Sequence, residues 1–214
     1  MNNIRGCIFD LDGVIVDTAK YHYLAWKRLA AELGFFFSEK DNERLKGVSR
    51  MASLEILLEV GGLTFSQEKK LLLAERKNNW YVEYISEMKE EEILPGTKTF
   101  IESARAAGLK VALGSASKNA LTILNGLRLI EYFDTIIDGT KVSKAKPDPE
   151  VFLLAARELG LPAEACVVFE DAKAGVEAAK RAGMRCIGVG TGPELSEADI
   201  QITGFENIDL SILQ

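Results

Sequence analysis

The chain has 214 residues, of which 47% are hydrophobic and 27% are charged. This composition is that of a globular protein with ample apolar material for a core. A formal net charge of −6 argues against a nucleic-acid-binding protein, which normally presents a basic face. Met1-Asn2-Asn3 begins no signal peptide and no apolar run is long enough to cross a bilayer, so we expect a cytoplasmic protein without a membrane partner.

The first predicted strand covers 6–9, and the segment after it contains only helical patterns. Its helices are predicted over 18–33, 41–45, 51–60 and 67–88. In the last of these helices the predicted apolar stripe includes Leu71 and Tyr81, with Asn78 on the stripe and Lys77 beside it. The basic segment Lys46-Gly47-Val48-Ser49-Arg50 is predicted to be a loop whose serine caps the next helix.

From Leu94-Pro95-Gly96 onwards, predicted strands and helices alternate. The strands are predicted over 110–113, 135–137, 165–169 and 184–189, and the helices over 97–107, 118–127, 150–159 and 174–182. Such alternation indicates parallel pairing. We therefore predict an α/β fold, with a doubly wound parallel (Rossmann-like) core of residues 1–16 and 94–214. An all-helical cap of residues 17–93 is inserted after the first strand.

The three cysteines, Cys7, Cys166 and Cys186, each lie in a short apolar run that predicts a buried strand. Their odd number and the absence of metal-ligand spacing indicate reduced thiols and a cytosolic setting. We therefore expect them to behave as small buried hydrophobic side chains.

Two carboxylates, Asp10 and Asp12, follow the first strand with one residue between them. Alternate residues of an extended chain point the same way, so both side chains can reach one space. Two like charges this close need a cation or a shared proton. An alternative is that both are turn residues that cap a following helix, as aspartate and glycine often are.

Polar side chains also end the next three predicted strands. Ser115 follows the second strand, Lys146 lies in the loop after the third, and Glu170-Asp171 ends the fourth. Ligands of open parallel sheets bind at the carboxyl ends of the strands. We therefore predict that these side chains share one edge of the sheet with the first pair of acids.

These strand-end residues also have structural alternatives. Ser115 and Ser117 can serve as helix caps, and Glu170-Asp171 can be an acid pair that the dipole of the next helix favours. Lys144 competes with Lys146, which we prefer because the following proline stiffens its backbone.

Four carboxylates and one lysine leave a surplus of negative charge that a divalent cation would balance. All-oxygen ligands indicate Mg²⁺ rather than zinc, and the predicted ligands are Asp10, Asp12, Glu170 and Asp171. Such a set is suited to phosphoryl transfer, in which Lys146 stabilises the phosphoryl oxygens. Asp10 is the predicted nucleophile, forming an aspartyl phosphate, and Asp12 the predicted general acid/base.

In chain order, these motifs resemble the four motifs of the haloacid dehalogenase superfamily of phosphotransferases: Asp10-Leu11-Asp12-Gly13-Val14, Ser115, Lys146-Pro147 and Glu170-Asp171. The resemblance implies a Mg²⁺-dependent aspartyl-phosphate mechanism, with the backbone carbonyl of Asp12 also on the metal. It further implies that Ser115, Ala116 and Lys146 hold the transferring phosphate. The dehalogenase branch is disfavoured, because hydrolysis at carbon needs no metal.

A further set of residues, in the cap and after the second strand, resembles the beta-phosphoglucomutase family within that superfamily: Thr18, His22, Trp26, Lys46-Gly47-Val48-Ser49-Arg50, Ser53, Arg76-Lys77-Asn78, Tyr81 and Ser115-Ala116-Ser117-Lys118-Asn119. The resemblance implies a set of substrate-binding residues, mostly in the cap: His22, Trp26, Gly47, Val48, Ser49, Arg50, Ser53, Lys77, Asn78, Ser117, Lys118 and Asn119. It implies that Arg50 grips the second, non-transferring phosphate, for which a guanidinium is well suited. His22 and Lys77 would help to position Asp12 when the cap closes. Ala172 departs from the family pattern, in which a serine or threonine follows the acid pair.

The leading hypothesis is interconversion of beta-D-glucose 1-phosphate and glucose 6-phosphate through a glucose 1,6-bisphosphate intermediate, by a monomeric isomerase. A mutase needs a cap that closes only on a whole substrate. One alternative is a Mg²⁺-dependent phosphatase of the same superfamily, for which the strand-end motifs would be identical. Another is a phosphorylation-dependent receiver domain, although such domains lack a helical insertion of this size. Without the resemblance, His22 can also be a core histidine and Asn78 a member of a buried polar network.

Overall fold

The computed structural model of the protein describes residues 4–45 and 49–214. The chain divides into two compact units, one formed by Met1–Asp17 with Met88–Gln214 and the other by Thr18–Glu87. The sequence predicts boundaries before residues 17 and 94, whereas these units are divided before Thr18 and Met88. Within the described ranges, no helix has both the length and the apolar character that crossing a membrane requires.

The larger unit is built on a six-stranded parallel sheet. Its strands are β1 (Gly6–Phe9), β2 (Lys110–Gly114), β3 (Thr135–Ile137), β4 (Cys166–Glu170), β5 (Arg185–Val189) and β6 (Ile200–Ile202). They lie in the order β3-β2-β1-β4-β5-β6. The chain thus builds outwards from β1 to one side and then to the other. This confirms the predicted doubly wound fold, whose ligand crevice lies where the strand order reverses.

The smaller unit has helices as its only regular elements within its described residues. Its helices are α1 (Ala19–Glu32), α2 (Glu39–Glu43), α3 (Arg50–Val60) and α4 (Gln67–Ser86). Ser38, Ser49 and Ser66 cap the last three, each accepting an N–H three residues further on, because the first turn of a helix leaves these donors unpaired. The predicted cap at Ser49 is confirmed. Helix α2 begins earlier than predicted, since Ser38 and Asp41 form a capping box.

The buried face of α4 differs from the predicted apolar stripe. Leu71 is 54% exposed, while Leu73 and Trp80 are buried. Lys77, predicted to lie beside the stripe, is itself buried. Its four-carbon stem is apolar, so a lysine can take a buried position that a pattern of hydrophobic residues does not reveal.

Four helices of the larger unit connect its strands: α5 (Thr97–Ala106), α6 (Ala120–Gly126), α7 (Glu150–Leu159) and α8 (Lys173–Arg181). Helix α7 packs on β1, β2 and β3, and α8 packs on β4 and β5. Helix α6 begins two residues later than predicted, because the Ser117 hydroxyl accepts the N–H of Asn119 and holds a turn there.

The core of the larger unit lies between the sheet and its helices. Ile8, Val168 and Phe152 belong to one buried cluster in which strand and helix side chains meet. The three cysteines are buried free thiols, as predicted. This packing fixes the strand ends from which the candidate site is built.

Candidate active site

The carboxyl ends of β1, β2 and β4 lie side by side. Phe9 is in register with Leu113 on one side and with Phe169 on the other. The chain continues this pairing beyond β1, since the N–H of Asp10 donates to the Phe169 carbonyl at 3.0 Å. Asp10 therefore lies beside Glu170, as the strand-end pattern predicts.

Lys146 forms salt bridges with both of these acids. Its Nζ lies 2.7 Å from Asp10 Oδ1 and 2.6 Å from Glu170 Oε1. Burial alone would lower the pKa of Lys146, but the charges of Asp10 and Glu170 outweigh it and hold that pKa above its ordinary value. Lys144, the competing lysine, has a side chain that is 69% exposed. The structure therefore places Lys146, and not Lys144, at the strand ends.

Three carboxylates form a cluster of oxygen ligands. Asp10, Glu170 and Asp171 each offer an oxygen, and these atoms lie within 4.8 Å of one another. Burial, followed by the charges of Glu170, Asp10 and Asp12, raises the pKa of Asp171 to about 8. Burial also raises the pKa of Glu170, and Asp10 adds to this against the opposing charge of Lys146. This surplus of negative charge suits a cation.

Two glycines make room for these carboxylates. A Cβ at Gly13 would lie 1.9 Å from Asp171 Oδ2, and Gly13 has φ +73°. A Cβ at Gly175, in the first turn of α8, would lie 1.7 Å from Glu170 Oε1. Gly175 is not among the residues predicted from the sequence, although a glycine inside a helix can signal the close approach of another group. With side chains excluded at both positions, the all-oxygen donor set fits a hard divalent cation.

The departure at Ala172 has little consequence for this cluster. The backbone N–H of Ala172 donates to Glu170 Oε2 at 2.9 Å, a bond that needs no particular side chain. Glu170 thereby has one oxygen on Lys146 and the other on a backbone donor, so its orientation is fixed from two sides.

Asp12 lies outside the carboxylate cluster. It is half-buried and forms a bridge with Val16 in the turn that follows β1. Its charge still contributes to the raised pKa of Asp171. Neither Asp10 nor Asp12 caps a helix, because α1 begins only at Ala19. Coordination of a metal by the Asp12 backbone carbonyl stays a prediction.

Ser115 directly follows β2, and its hydroxyl is buried. Its N–H donates to the Ile137 carbonyl at 2.9 Å, and its Oγ accepts the N–H of Ser117 at 3.0 Å. A hydroxyl can donate while it accepts, so Ser115 can still donate to a phosphate oxygen. Helix α6 has Asn119 as its N-cap, so Ser115 is not the cap of that helix. Ala116 is exposed.

A cluster in the helical unit brings together four of the residues that the family resemblance singled out. Lys77 Nζ lies 2.7 Å from His22 Nδ1 and 4.6 Å from the centre of the Trp26 ring. The His22 ring stacks on Tyr81 with a centroid distance of 3.9 Å. His22 is exposed, which contradicts the alternative of a core histidine. Desolvation by its neighbours, then the charges of Lys77 and Arg50, lowers the pKa of His22.

The remaining predicted substrate-binding residues are spread over both units. Ser53 is buried, Ser49, Arg50 and Lys118 are exposed, and Asn78, Ser117 and Asn119 are half-buried. Gly47 and Val48 lie outside the described residues. These roles stay predictions.

Comparison with known proteins identifies the family. The family model of haloacid dehalogenase-like hydrolases matches residues 4–183. The chain belongs to this family. It is 42% identical to the beta-phosphoglucomutase of Bacillus subtilis over 212 residues, 98% of this chain and 94% of that protein. It is 38% identical to a phosphorylated carbohydrates phosphatase of Thermotoga maritima, over 86% of this chain and 84% of that protein.

Solved structures agree with this membership of the haloacid dehalogenase-like hydrolases. A beta-phosphoglucomutase from Clostridium difficile matches with a TM-score of 0.84 and 42% identity, covering 99% of this chain and 96% of that one. A putative beta-phosphoglucomutase from Thermotoga maritima matches with a TM-score of 0.83 and 34% identity, covering 98% of both chains. The fold and the resemblance expected from the sequence are thereby confirmed.

Proposed function

We propose that the protein is a Mg²⁺-dependent beta-phosphoglucomutase that interconverts beta-D-glucose 1-phosphate and glucose 6-phosphate through glucose 1,6-bisphosphate. One observation carries phosphoryl transfer: Asp10 lies at the end of the central strand, where it is paired with Lys146 and belongs to a cluster of oxygen ligands with Glu170 and Asp171. The likeness to beta-phosphoglucomutases along nearly the whole chain supports the mutase reaction. The protein acts as a monomer on a small sugar phosphate.

In the proposed transfer, a bond forms between an Asp10 oxygen and phosphorus while the bond between phosphorus and the donor oxygen breaks. Asp12 gives a proton to the leaving oxygen. Lys146 remains protonated, because its two carboxylate partners raise its pKa, and it stabilises the phosphoryl oxygens. Bound Mg²⁺, held by Asp10, Glu170 and Asp171, would supply further positive charge to those oxygens.

In the second half of the reaction Asp12, now ionised, takes the proton of a sugar hydroxyl as that oxygen attacks the phosphorus on Asp10. Transfer to O6 of beta-glucose 1-phosphate gives the bisphosphate. When the bisphosphate returns its 1-phosphate to Asp10, glucose 6-phosphate is released. Arg50, and the cluster that Lys77 forms with His22, Trp26 and Tyr81, bind the rest of the substrate.

The test is to incubate the protein with Mg²⁺, beta-glucose 1-phosphate and a trace of glucose 1,6-bisphosphate, measuring glucose 6-phosphate and inorganic phosphate together. We expect glucose 6-phosphate to be the main product, and Asp10→Asn to abolish its formation. Stoichiometric release of inorganic phosphate without glucose 6-phosphate would contradict the mutase.

The second candidate, a sugar-phosphate phosphatase, is favoured by the 38% identity to the phosphorylated carbohydrates phosphatase. The strand-end chemistry is the same up to the phosphorylated Asp10, and water then replaces the sugar hydroxyl as the acceptor. The product measurement above therefore separates the two candidates. Steady turnover of either kind would exclude a receiver domain that acts only as a switch.

A further inference from the structure

Glu150, the first residue of α7, closes the loop that precedes this helix. Its Oε2 accepts the N–H of Ser143 at 3.0 Å and the N–H of Lys144 at 2.7 Å. The Ser143 hydroxyl donates to the same carboxylate at 3.0 Å. These bonds, led by that from Lys144, lower the pKa of Glu150. An ionised carboxylate therefore holds together the two ends of the segment 143–150.

Lys146 lies inside the segment that Glu150 closes. The N–H of Asp148 donates to the Ala145 carbonyl at 3.0 Å, forming a turn around Lys146. The N–H of Glu150 donates to Asp148 Oδ1 at 3.0 Å. The backbone of Lys146 is thus held on both sides by bonds that converge on the start of α7.

The side chain of Lys146 needs this support. A lysine side chain is a flexible four-carbon stem, yet its Nζ must stay within hydrogen-bond distance of both Asp10 and Glu170. Phe152, two residues after Glu150 on α7, places its ring centre 4.8 Å from the same Nζ. One helix therefore fixes Lys146 at its backbone and at its ammonium group.

We propose that Glu150 is a positioning residue for phosphoryl transfer, acting through Lys146. The proposal rests on one part of the proposed function, the binding of the transferring phosphate by Lys146. Glu150 itself touches backbone amides and a serine hydroxyl, so its effect must pass through the loop.

The first test measures binding of inorganic phosphate by calorimetry in the presence of Mg²⁺. Glu150→Gln turns one carboxylate oxygen into an amide donor that faces two N–H groups. We expect it to weaken phosphate binding about tenfold, the loss typical of a hydrogen bond to a charged group. Glu158→Gln is the matched control, since Glu158 lies on the same helix and accepts a bond from Thr135 on β3. It should leave phosphate affinity unchanged.

The second test is a double-mutant cycle with Lys146→Ala. If Glu150 acts through Lys146, Glu150→Gln in the Lys146→Ala background should weaken phosphate binding no further. Independent, multiplying losses would overturn the proposal, as would an equal loss in Glu158→Gln. A wild-type chain that binds no phosphate would overturn it too.

Turnover measured together with the unfolding midpoint separates a loss of positioning from a loss of folding. With p-nitrophenyl phosphate as substrate, Glu150→Gln should lower kcat about 10- to 100-fold, the effect of misplacing a catalytic group, with an unchanged unfolding midpoint. Glu150→Asp keeps the carboxylate and should recover part of this loss, which keeps the test valid if the glutamine variant folds poorly. Failure of the mutase reaction with intact phosphate binding would reject the proposed function and leave this inference standing.

Discussion

Lys77 is a charged side chain buried among aromatic rings of the helical unit. It is 2% exposed, and its Nζ lies over the rings of Trp26 and Tyr81 and against His22 Nδ1. Desolvation, then the charge of Arg50, lowers the pKa of Lys77 from 10.5 to about 7. Near neutral pH this lysine therefore exists in both protonation states, which the ring faces and the histidine nitrogen can each accommodate.

This lowered pKa predicts a pH-dependent stability. Above about pH 7 the folded chain releases the Lys77 proton, while the unfolded chain keeps it up to its ordinary pKa. The free energy of unfolding should therefore rise with pH, with Lys77 contributing about 2 kcal/mol between pH 7 and 9. Lys77→Met removes this contribution and should be more stable than wild type at pH 7. Urea unfolding of both proteins across this range measures the difference.

An exposed lysine of the same helix is the control for that measurement. Lys69 is exposed in the first turn of α4, so Lys69→Met should leave the pH dependence unchanged. Stability curves of wild type and Lys77→Met that run parallel with pH would show that Lys77 is not desolvated in the folded protein.

At the scale of elements, the sequence predicts helices and strands well where one local signal dominates. The bounds of β1, β3 and α7 agree with the prediction, because each has an apolar run or stripe ended by glycine or polar residues. Helices α2 and α6 begin elsewhere than predicted, since a serine hydroxyl competes for the first N–H groups. Strand β6 was not predicted, because its three residues are defined only by pairing with β5.

Helix α8, which follows β4, leaves room for the carboxylate at the end of that strand. Its Gly175 faces Glu170 so closely that any side chain would displace the carboxylate. We expect Gly175→Ala to weaken Mg²⁺ binding at least tenfold, although alanine is favoured over glycine in a helix by about 1 kcal/mol. Calorimetric titration with Mg²⁺ measures the affinity directly.

The Glu170→Ala background distinguishes this crowding from a general effect on α8. Without the Glu170 side chain the clash disappears, so Gly175→Ala should then raise the unfolding midpoint, as helix propensity predicts. A double variant that unfolds at a lower temperature than the Glu170→Ala single variant would show that crowding against Glu170 is not the cause.

At the scale of the whole molecule, alternation of strands and helices was enough to predict the doubly wound core, and strand-end residues were enough to predict that Asp10, Lys146 and Glu170 meet. The contacts that hold the site were not predictable in this way. Glu150 accepts hydrogen bonds from the loop before its helix, and Asp12 lies apart from the carboxylate cluster. Both features depend on backbone turns, which a periodic pattern of hydrophobic residues does not encode.

If the carboxylate cluster binds Mg²⁺ as proposed, the cation should stabilise the folded chain. Mg²⁺ that binds the folded chain and not the unfolded one adds about 1.4 kcal/mol at tenfold excess over its dissociation constant. For a chain of this size that corresponds to a rise of roughly 3 to 6 °C in the unfolding midpoint. Thermal unfolding with MgCl₂, compared with NaCl at equal ionic strength, measures the effect.

Asp171→Asn should have opposite effects on two quantities: it should raise the stability of the metal-free chain and weaken the binding of Mg²⁺. Burial and three neighbouring acids raise the pKa of Asp171 to about 8, so at neutral pH the metal-free chain must bind a proton there as it folds. The neutral amide removes this cost. The variant should unfold at a higher temperature than metal-free wild type and gain little from Mg²⁺. Glu197→Gln, which removes an exposed acid, should respond to Mg²⁺ as wild type does. If Asp171→Asn keeps the full response to Mg²⁺, Asp171 is not a ligand, and the cation is held by Asp10 and Glu170 without it.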